Sequence, residues 1–206
     1  MLIVGLNGSP RLEGNTARLL SAALEAAREA GAETIMLHVN EALKGVKTPF
    51  CVQCSERCEA KCCRGTLMEE YFSVLRRTDG LLVASPVYFG TASGQLKAFW
   101  DKTRILRRER ALVNVVGGAL AVGSARFGGQ ENVLNSIYHM MLVQGMTIVG
   151  DGLEEADSGH HGACGRSPVE NDEEAFRRAR ILSLRVLQVA EATKGLRQRL
   201  RRGEGR

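Results

Sequence analysis

Near its amino end the chain reads Asn7-Gly8-Ser9-Pro10-Arg11-Leu12-Glu13-Gly14-Asn15-Thr16, directly after the apolar run Leu2–Leu6. Gly8 and Gly14 let the backbone close around an anion. Ser9, Asn15 and Thr16 add neutral donors, and Arg11 adds a charge-assisted one. Leu19, Leu20, Ala23, Leu24 and Ala27 then recur at helical spacing, so a helix begins here and aims its free N–H groups into the loop. The loop is not a Walker loop, because Asn15 stands where the lysine belongs and five residues separate Gly8 from Gly14. Nor is it the dinucleotide fingerprint, since the first turn reads Gly5-Leu6-Asn7-Gly8. A terminal monophosphate suits it better than a triphosphate, which excludes a kinase or nucleotide hydrolase.

A second set of reactive residues is denser. Five of the six cysteines lie within Cys51–Cys63, and only Cys164 is remote. Clustering of this kind marks a metal or redox site in a reducing compartment, not a disulfide framework. Cys51, Cys54, Cys58 and either Cys62 or Cys63 can wrap a 4Fe–4S cluster. Four thiolates can equally close a zinc site, and Cys51 with Cys54 forms a C-x-x-C pair suited to thiol–disulfide exchange. Arg57, Lys61 and Arg64 offset thiolate charge in any of these cases. His160-His161 and the acidic pairs Glu69-Glu70 and Glu154-Glu155 have no ligand spacing and read as solvated surface.

The elements that must position these residues follow from pattern. Strand signals occur at Leu2–Leu6, Thr34–Val39, Gly80–Ala84, Leu112–Val122 and Thr147–Val149. Helical patterns occupy Thr16–Ala30, Leu67–Arg77, Ala92–Leu106, Gln130–Gln144 and Val169–Leu196. Strictly alternating strands and helices imply right-handed crossovers and a doubly wound, five-stranded parallel sheet of order 2-1-3-4-5. Ligands in such α/β folds bind beyond the carboxyl ends of the strands. Three segments converge there: Gly8–Thr16, Ser85–Ser93 and Gly123–Glu131. Pro86 stiffens the second, Gly90 permits a turn, and Tyr88 and Phe89 can flank a flat heterocycle.

Composition bounds the rest. The chain has 206 residues, 44% hydrophobic, enough for one domain over residues 1–193 with the cysteine-rich loop 51–63 inside it. Its net charge of +5 sits wholly in residues 194–206, expected to be a solvated, frayed tail, while the body balances 22 basic against 22 acidic residues. No nucleic-acid partner is expected from a neutral body. No apolar run approaches the ~20 residues of a membrane span, and no signal-peptide layout is present, so a cytoplasmic protein is expected.

Together the three loops, Gly8-Ser9-Pro10-Arg11 with Gly14-Asn15-Thr16, Ser85-Pro86-Val87-Tyr88-Phe89-Gly90, and Gly128-Gly129-Gln130-Glu131, resemble the FMN-binding loops of the flavodoxin-like NADPH-dependent FMN reductases. Within that group the cysteine segment resembles that of the iron–sulfur flavoproteins. It departs from their C-x-x-C-x-x-C start, because three residues separate Cys54 from Cys58. The resemblance assigns Ser9, Arg11, Asn15 and Thr16 to the FMN phosphate. It assigns Pro86, Val87, Tyr88, Phe89 and Gly90 to the isoalloxazine, with Gly128 and Gly129 along the ring or ribityl chain. It names no catalytic side chain, since the flavin carries the electrons. It implies an FMN-dependent oxidoreductase, a homodimer or homotetramer, that draws on NAD(P)H or a protein donor and passes electrons to a small-molecule or protein acceptor. The alternative is a flavodoxin-fold binding or regulatory module with structural zinc in the cysteine loop. Cluster and flavin are expected to share the carboxyl edge of the sheet.

Overall fold

The computed structural model describes residues 1–201 of the chain. Strands β1 (Leu2–Asn7), β2 (Glu33–His38), β3 (Gly80–Pro86), β4 (Val116–Gly123) and β5 (Thr147–Ile148) form a parallel sheet of order β2-β1-β3-β4-β5, the order expected. β1, β4 and all of β3 but Pro86 are buried along their length, as strands covered on both faces must be. Side chains alternate between two cores. Leu2, Val4 and Leu6 join the core formed with α2 (Val39–Lys44), α3 (Leu67–Leu75), α4 (Gly94–Lys102), α5 (Arg104–Glu109) and α6 (Gln130–Val143). Ile3, Leu82 and Leu120 face the core built with α1 (Asn15–Glu29) and α7 (Glu173–Ala192).

Four features depart from the pattern read in the sequence. The fifth sheet position holds two strands. β5 pairs with Val116 and Gly117, and β6 (Ala163–Arg166) pairs further along β4 with Leu120–Gly123. Residues 149–162 leave and re-enter the sheet between them. Arg178 of α7 clamps this excursion, donating to both carboxylate oxygens of Asp157 at 2.7 Å and to Glu174 at 2.9 Å. Its guanidinium holds the Asp157 carboxyl down to about 2.

The expected helix Ala92–Leu106 is broken at Thr103. The buried Thr103 hydroxyl donates to the Trp100 carbonyl at 2.6 Å and accepts from Gln144 Nε2 at 2.7 Å. Such a local bond competes with the helical ladder. Between β2 and the cysteine loop lies α2, too short for its period to show in the sequence.

The frayed end expected from residue 194 is not found in the described part. α8 (Lys194–Arg201) continues the chain as a helix; residues 202–206 of that tail lie outside the described residues. Arg197 is only 2% exposed and pairs with Asp79 Oδ1 at 3.2 Å, with Thr193 and the Asn114 and Ala190 carbonyls completing its shell. A guanidinium needs such a shell to be buried. Arg197→Met should therefore lower stability by about 3 kcal/mol, the usual cost of breaking a buried ion pair. Urea unfolding measures it, and a loss below ~0.5 kcal/mol would mean the tail is dispensable.

Candidate functional site

Hydrogen bonds at the carboxyl edge tie the three loops into one surface. Gly8 N–H donates to the Ala84 carbonyl at 2.8 Å, and the Ser93 hydroxyl donates to the Gly8 carbonyl at 2.6 Å. Ser93 N–H in turn donates to Ser85 Oγ at 3.0 Å, and Ser93 Oγ caps α4 by accepting from Leu96 N–H. A Cβ on Gly8 would sit 2.8 Å from the Ala84 oxygen and 2.9 Å from Leu96 Cβ, so this approach requires glycine. The second and third loops also touch. Gly129, at φ +95°, would bring a Cβ within 3.3 Å of the Gly90 Cα.

Asn7 shapes the first loop from inside. Its side-chain oxygen accepts from Ser9 N–H at 3.0 Å, and its amide nitrogen lies 3.0 Å from His38 Nδ1. Burial lowers the His38 pKa, which favours a neutral ring there. Ser9 and Thr16 are buried, while Arg11 is exposed and its N–H donates to Ser9 Oγ at 3.1 Å. Gly14 precedes α1 without capping it, and the first turn carries no acid. Among the described residues nothing accepts from the N–H groups of Asn15, Thr16 or Ala17; Arg18 N–H is the first to reach a carbonyl, that of Gly14 at 3.0 Å. Three uncapped donors at a helix start fit a dianionic phosphate.

Asn15 behaves differently from the role the resemblance gives it. Its side chain donates to Ser167 Oγ at 2.7 Å and accepts from Val169 N–H at 3.3 Å, so it fastens α1 to the segment entering α7. Its backbone N–H, not its amide, faces the loop.

The second loop is a tight turn. Tyr88 and Thr91 exchange backbone bonds at 2.9 and 3.1 Å, with Phe89 at φ +48° and Gly90 at φ +77° between them. Val87 N–H donates to the Val122 carbonyl at 2.9 Å. Of the four donors from Val87 to Gly90, only those of Phe89 and Gly90 therefore remain for a ligand. Tyr88 and Phe89 are exposed, not core residues, and Pro86 and Val87 are half-buried at the end of β3. Phe127 in the third loop is exposed as well.

Gln130 was not singled out in the sequence, yet it holds that third loop together. Buried, it accepts from Gly128 N–H at 2.9 Å and donates to the Ala125 and Gly165 carbonyls at 2.6 and 3.3 Å. The Gly-Gly-Gln run was its only signal.

The cysteine loop lies along α4. Phe50 shares a hollow with Gly94, Gln95 and Ala98 near the carboxyl edge, and further on the loop reaches Lys102 and Arg104. At 1.5 Å per residue, that second contact is roughly 12 Å down the helix from the three loops. Of this loop, Pro49 and Phe50 reach the Gly94 end of α4, whereas the cysteines expected at the carboxyl edge line the hollow with Lys102 and Arg104 on the helix flank.

Cys51, Cys54, Cys58 and Cys62 line one hollow of about 410 Å³. Cys63 does not line it. It is 1% exposed, with its thiol 3.3 Å from Met68 Sδ, and burial pushes its pKa up to about 12. Burial likewise pushes the remote Cys164 up to about 12. The four hollow-lining thiols do not converge: among the described residues no three His, Cys, Asp or Glu side chains meet at a point that could hold a metal ion. Their number, their shared hollow and the five basic against one acidic side chain around them fit an anionic, thiolate-ligated centre.

Comparison with known proteins covers nearly the whole chain. The model of the NADPH-dependent FMN reductase family matches residues 1–160. An iron–sulfur flavoprotein from Methanocaldococcus jannaschii is 38% identical over 197 residues, spanning 94% of this chain and 100% of that one. Another, from Methanosarcina thermophila, is 40% identical over 174 residues, 84% of this chain and 86% of its own. Among solved structures, a WrbA-like flavodoxin from Agrobacterium tumefaciens superposes with a TM-score of 0.67 at 18% identity, over 93% of this chain and 97% of that chain. That likeness speaks for the fold alone.

Proposed function

Because the chain belongs to the NADPH-dependent FMN reductase family and is an NAD(P)H-dependent flavoprotein oxidoreductase, we propose that it binds FMN at the three-loop surface and relays electrons between that flavin and an iron–sulfur cluster in the cysteine loop. The observation that carries the FMN site is the uncapped, acid-free first turn of α1. The N–H groups of Asn15, Thr16 and Ala17 would take the phosphate, with Ser9 and Arg11 beside them. Phe89 and Gly90 would present backbone donors to the ring, and Tyr88, Pro86, Val87, Gly128 and Gly129 would bound it. FMN supplies hydride acceptance and one-electron exchange when bound. The chain's own part is to fix the phosphate, orient the ring against the Tyr88–Thr91 turn and keep that turn rigid.

Cys51, Cys54, Cys58 and Cys62 would hold the cluster, supplying one-electron storage. Cys63, facing the core, is left out of that set. The relatives named iron–sulfur flavoproteins support this reading. The exposed rings of Tyr88, Phe89 and Phe127 around the flavin loops support a homodimer or homotetramer in which a neighbouring copy covers them. The donor we infer is NAD(P)H, and the acceptor a small molecule or a redox protein.

A terminal monophosphate at a helix start favours FMN over FAD. Fluorescence titration of apoprotein should give FMN a Kd at least tenfold below that of FAD, about 1.4 kcal/mol. Equal or tighter FAD binding would sink the site assignment. Anaerobic NADPH or NADH should then bleach the visible absorbance of the bound flavin. Failure with both would leave only a protein donor.

A further inference from the structure

Lys102 is 4% exposed, and no carboxylate among the described residues lies within ion-pair distance of it. The contact its ammonium makes is with Cys62 Sγ, at 3.7 Å. Burying a lysine without an acid partner is costly unless something anionic is meant to sit beside it. Three features aim it at the cysteine hollow. Thr103 breaks the helix one residue later, and Lys102 and Arg104 on either side of that break both line the hollow. Arg104 spends its guanidinium on the Ser55 and Glu56 carbonyls at 3.0 and 2.8 Å, which shapes the loop and leaves the sulfur to Lys102. The hollow's one acid, Glu59, is engaged with Lys61 at 3.0 Å. Lys47, Arg57 and Lys61, the other basic residues around the hollow, are exposed and screened by water and salt.

Resting on the reading that the loop holds an iron–sulfur cluster, we propose that Lys102 is its buried counter-charge and raises its reduction potential. A thiolate-ligated cluster is anionic, and each electron it takes from a reductant adds one negative charge. A fixed positive charge close by, itself buried and so less screened than the exposed ones, stabilises the reduced form more than the oxidised one. Lys102 is therefore a tuning residue and not a ligand.

Dithionite titration of anaerobically reconstituted protein, followed by absorbance and EPR, tests this with Lys102→Met and Lys102→Arg. Each dithionite-derived electron converts one oxidised cluster to one reduced cluster. Lys102→Met, which keeps the length and removes the charge, should retain iron, sulfide and FMN. Its reduced cluster should be disfavoured at least tenfold, a fall of about 59 mV for a one-electron couple. Lys102→Arg should stay within about threefold of the parent, about half that shift. An unchanged potential in Lys102→Met, or an equal fall in both variants, overturns the proposal while leaving the cluster in place. Parent protein that takes up zinc but no iron and sulfide overturns the cluster reading and the proposal with it, an outcome told apart by metal analysis alone.

Discussion

Serine at Cys51, Cys54, Cys58 or Cys62, one at a time, should take the iron content of anaerobically reconstituted protein from about four per chain towards zero. The flavin absorbance should remain. These four thiols line one hollow beside α4, whereas the three loops proposed for FMN occupy the carboxyl ends of β1, β3 and β4. Cys63→Ser should behave differently. Its thiol is packed against Met68 inside the core, so the variant should keep its iron and lose about 1–2 kcal/mol of stability, from a polar hydroxyl placed among apolar neighbours. Cys164→Ser should also keep its iron, since that residue belongs to β6 on the far side of the sheet order. Iron and sulfide assays with urea melts separate the two classes. Iron lost from Cys63→Ser and retained in Cys62→Ser would exchange their roles.

The second large effect is on FMN affinity. Asn15→Asp is nearly isosteric and keeps an acceptor for Val169 N–H, and its other oxygen can accept from the Ser167 hydroxyl in place of the amide's donation. It also brings a negative charge to a first turn that has none. Its Kd for FMN should rise at least tenfold, about 1.4 kcal/mol or more, through repulsion of the phosphate and a weakened helix-end field. Riboflavin lacks the phosphate, so its affinity should change less than about threefold. Parallel losses for both ligands would mean that the Asn15 clamp on Ser167, not the phosphate cradle, was damaged.

Much of this was legible in the chain. Buried strands of β-branched and leucine residues between amphipathic helices gave the sheet order, because burial on two faces leaves little freedom for another arrangement. The phosphate loop was legible because glycine spacing and small donors are local properties. What escaped was set by tertiary partners. Neither α2 nor the four-residue β6 has enough length to show a period. The break at Thr103 depends on Gln144, 41 residues away. Val87 and Tyr88 could not be removed from the ring donors without knowing that the Val122 and Thr91 carbonyls accept their N–H groups. The choice between adjacent Cys62 and Cys63 is likewise invisible in a string, since it depends on which sulfur faces Met68. Arg197 read as tail because nothing nearby in sequence announces Asp79, 118 residues before it.

The divided fifth position of the sheet has a consequence for how such a protein can change over time. β5 and β6 are each secured to β4 by their own ladder, and Leu153 pairs with Asp157 to close the outer turn of the excursion between them. Residues added at Glu154–Glu155 would therefore enlarge a closed loop without pulling on either strand. Doubling such a loop costs only about 0.6 kcal/mol of closure entropy. The excursion is thus a graft point at which descendants can acquire new surface while the carboxyl edge of the sheet stays as it is.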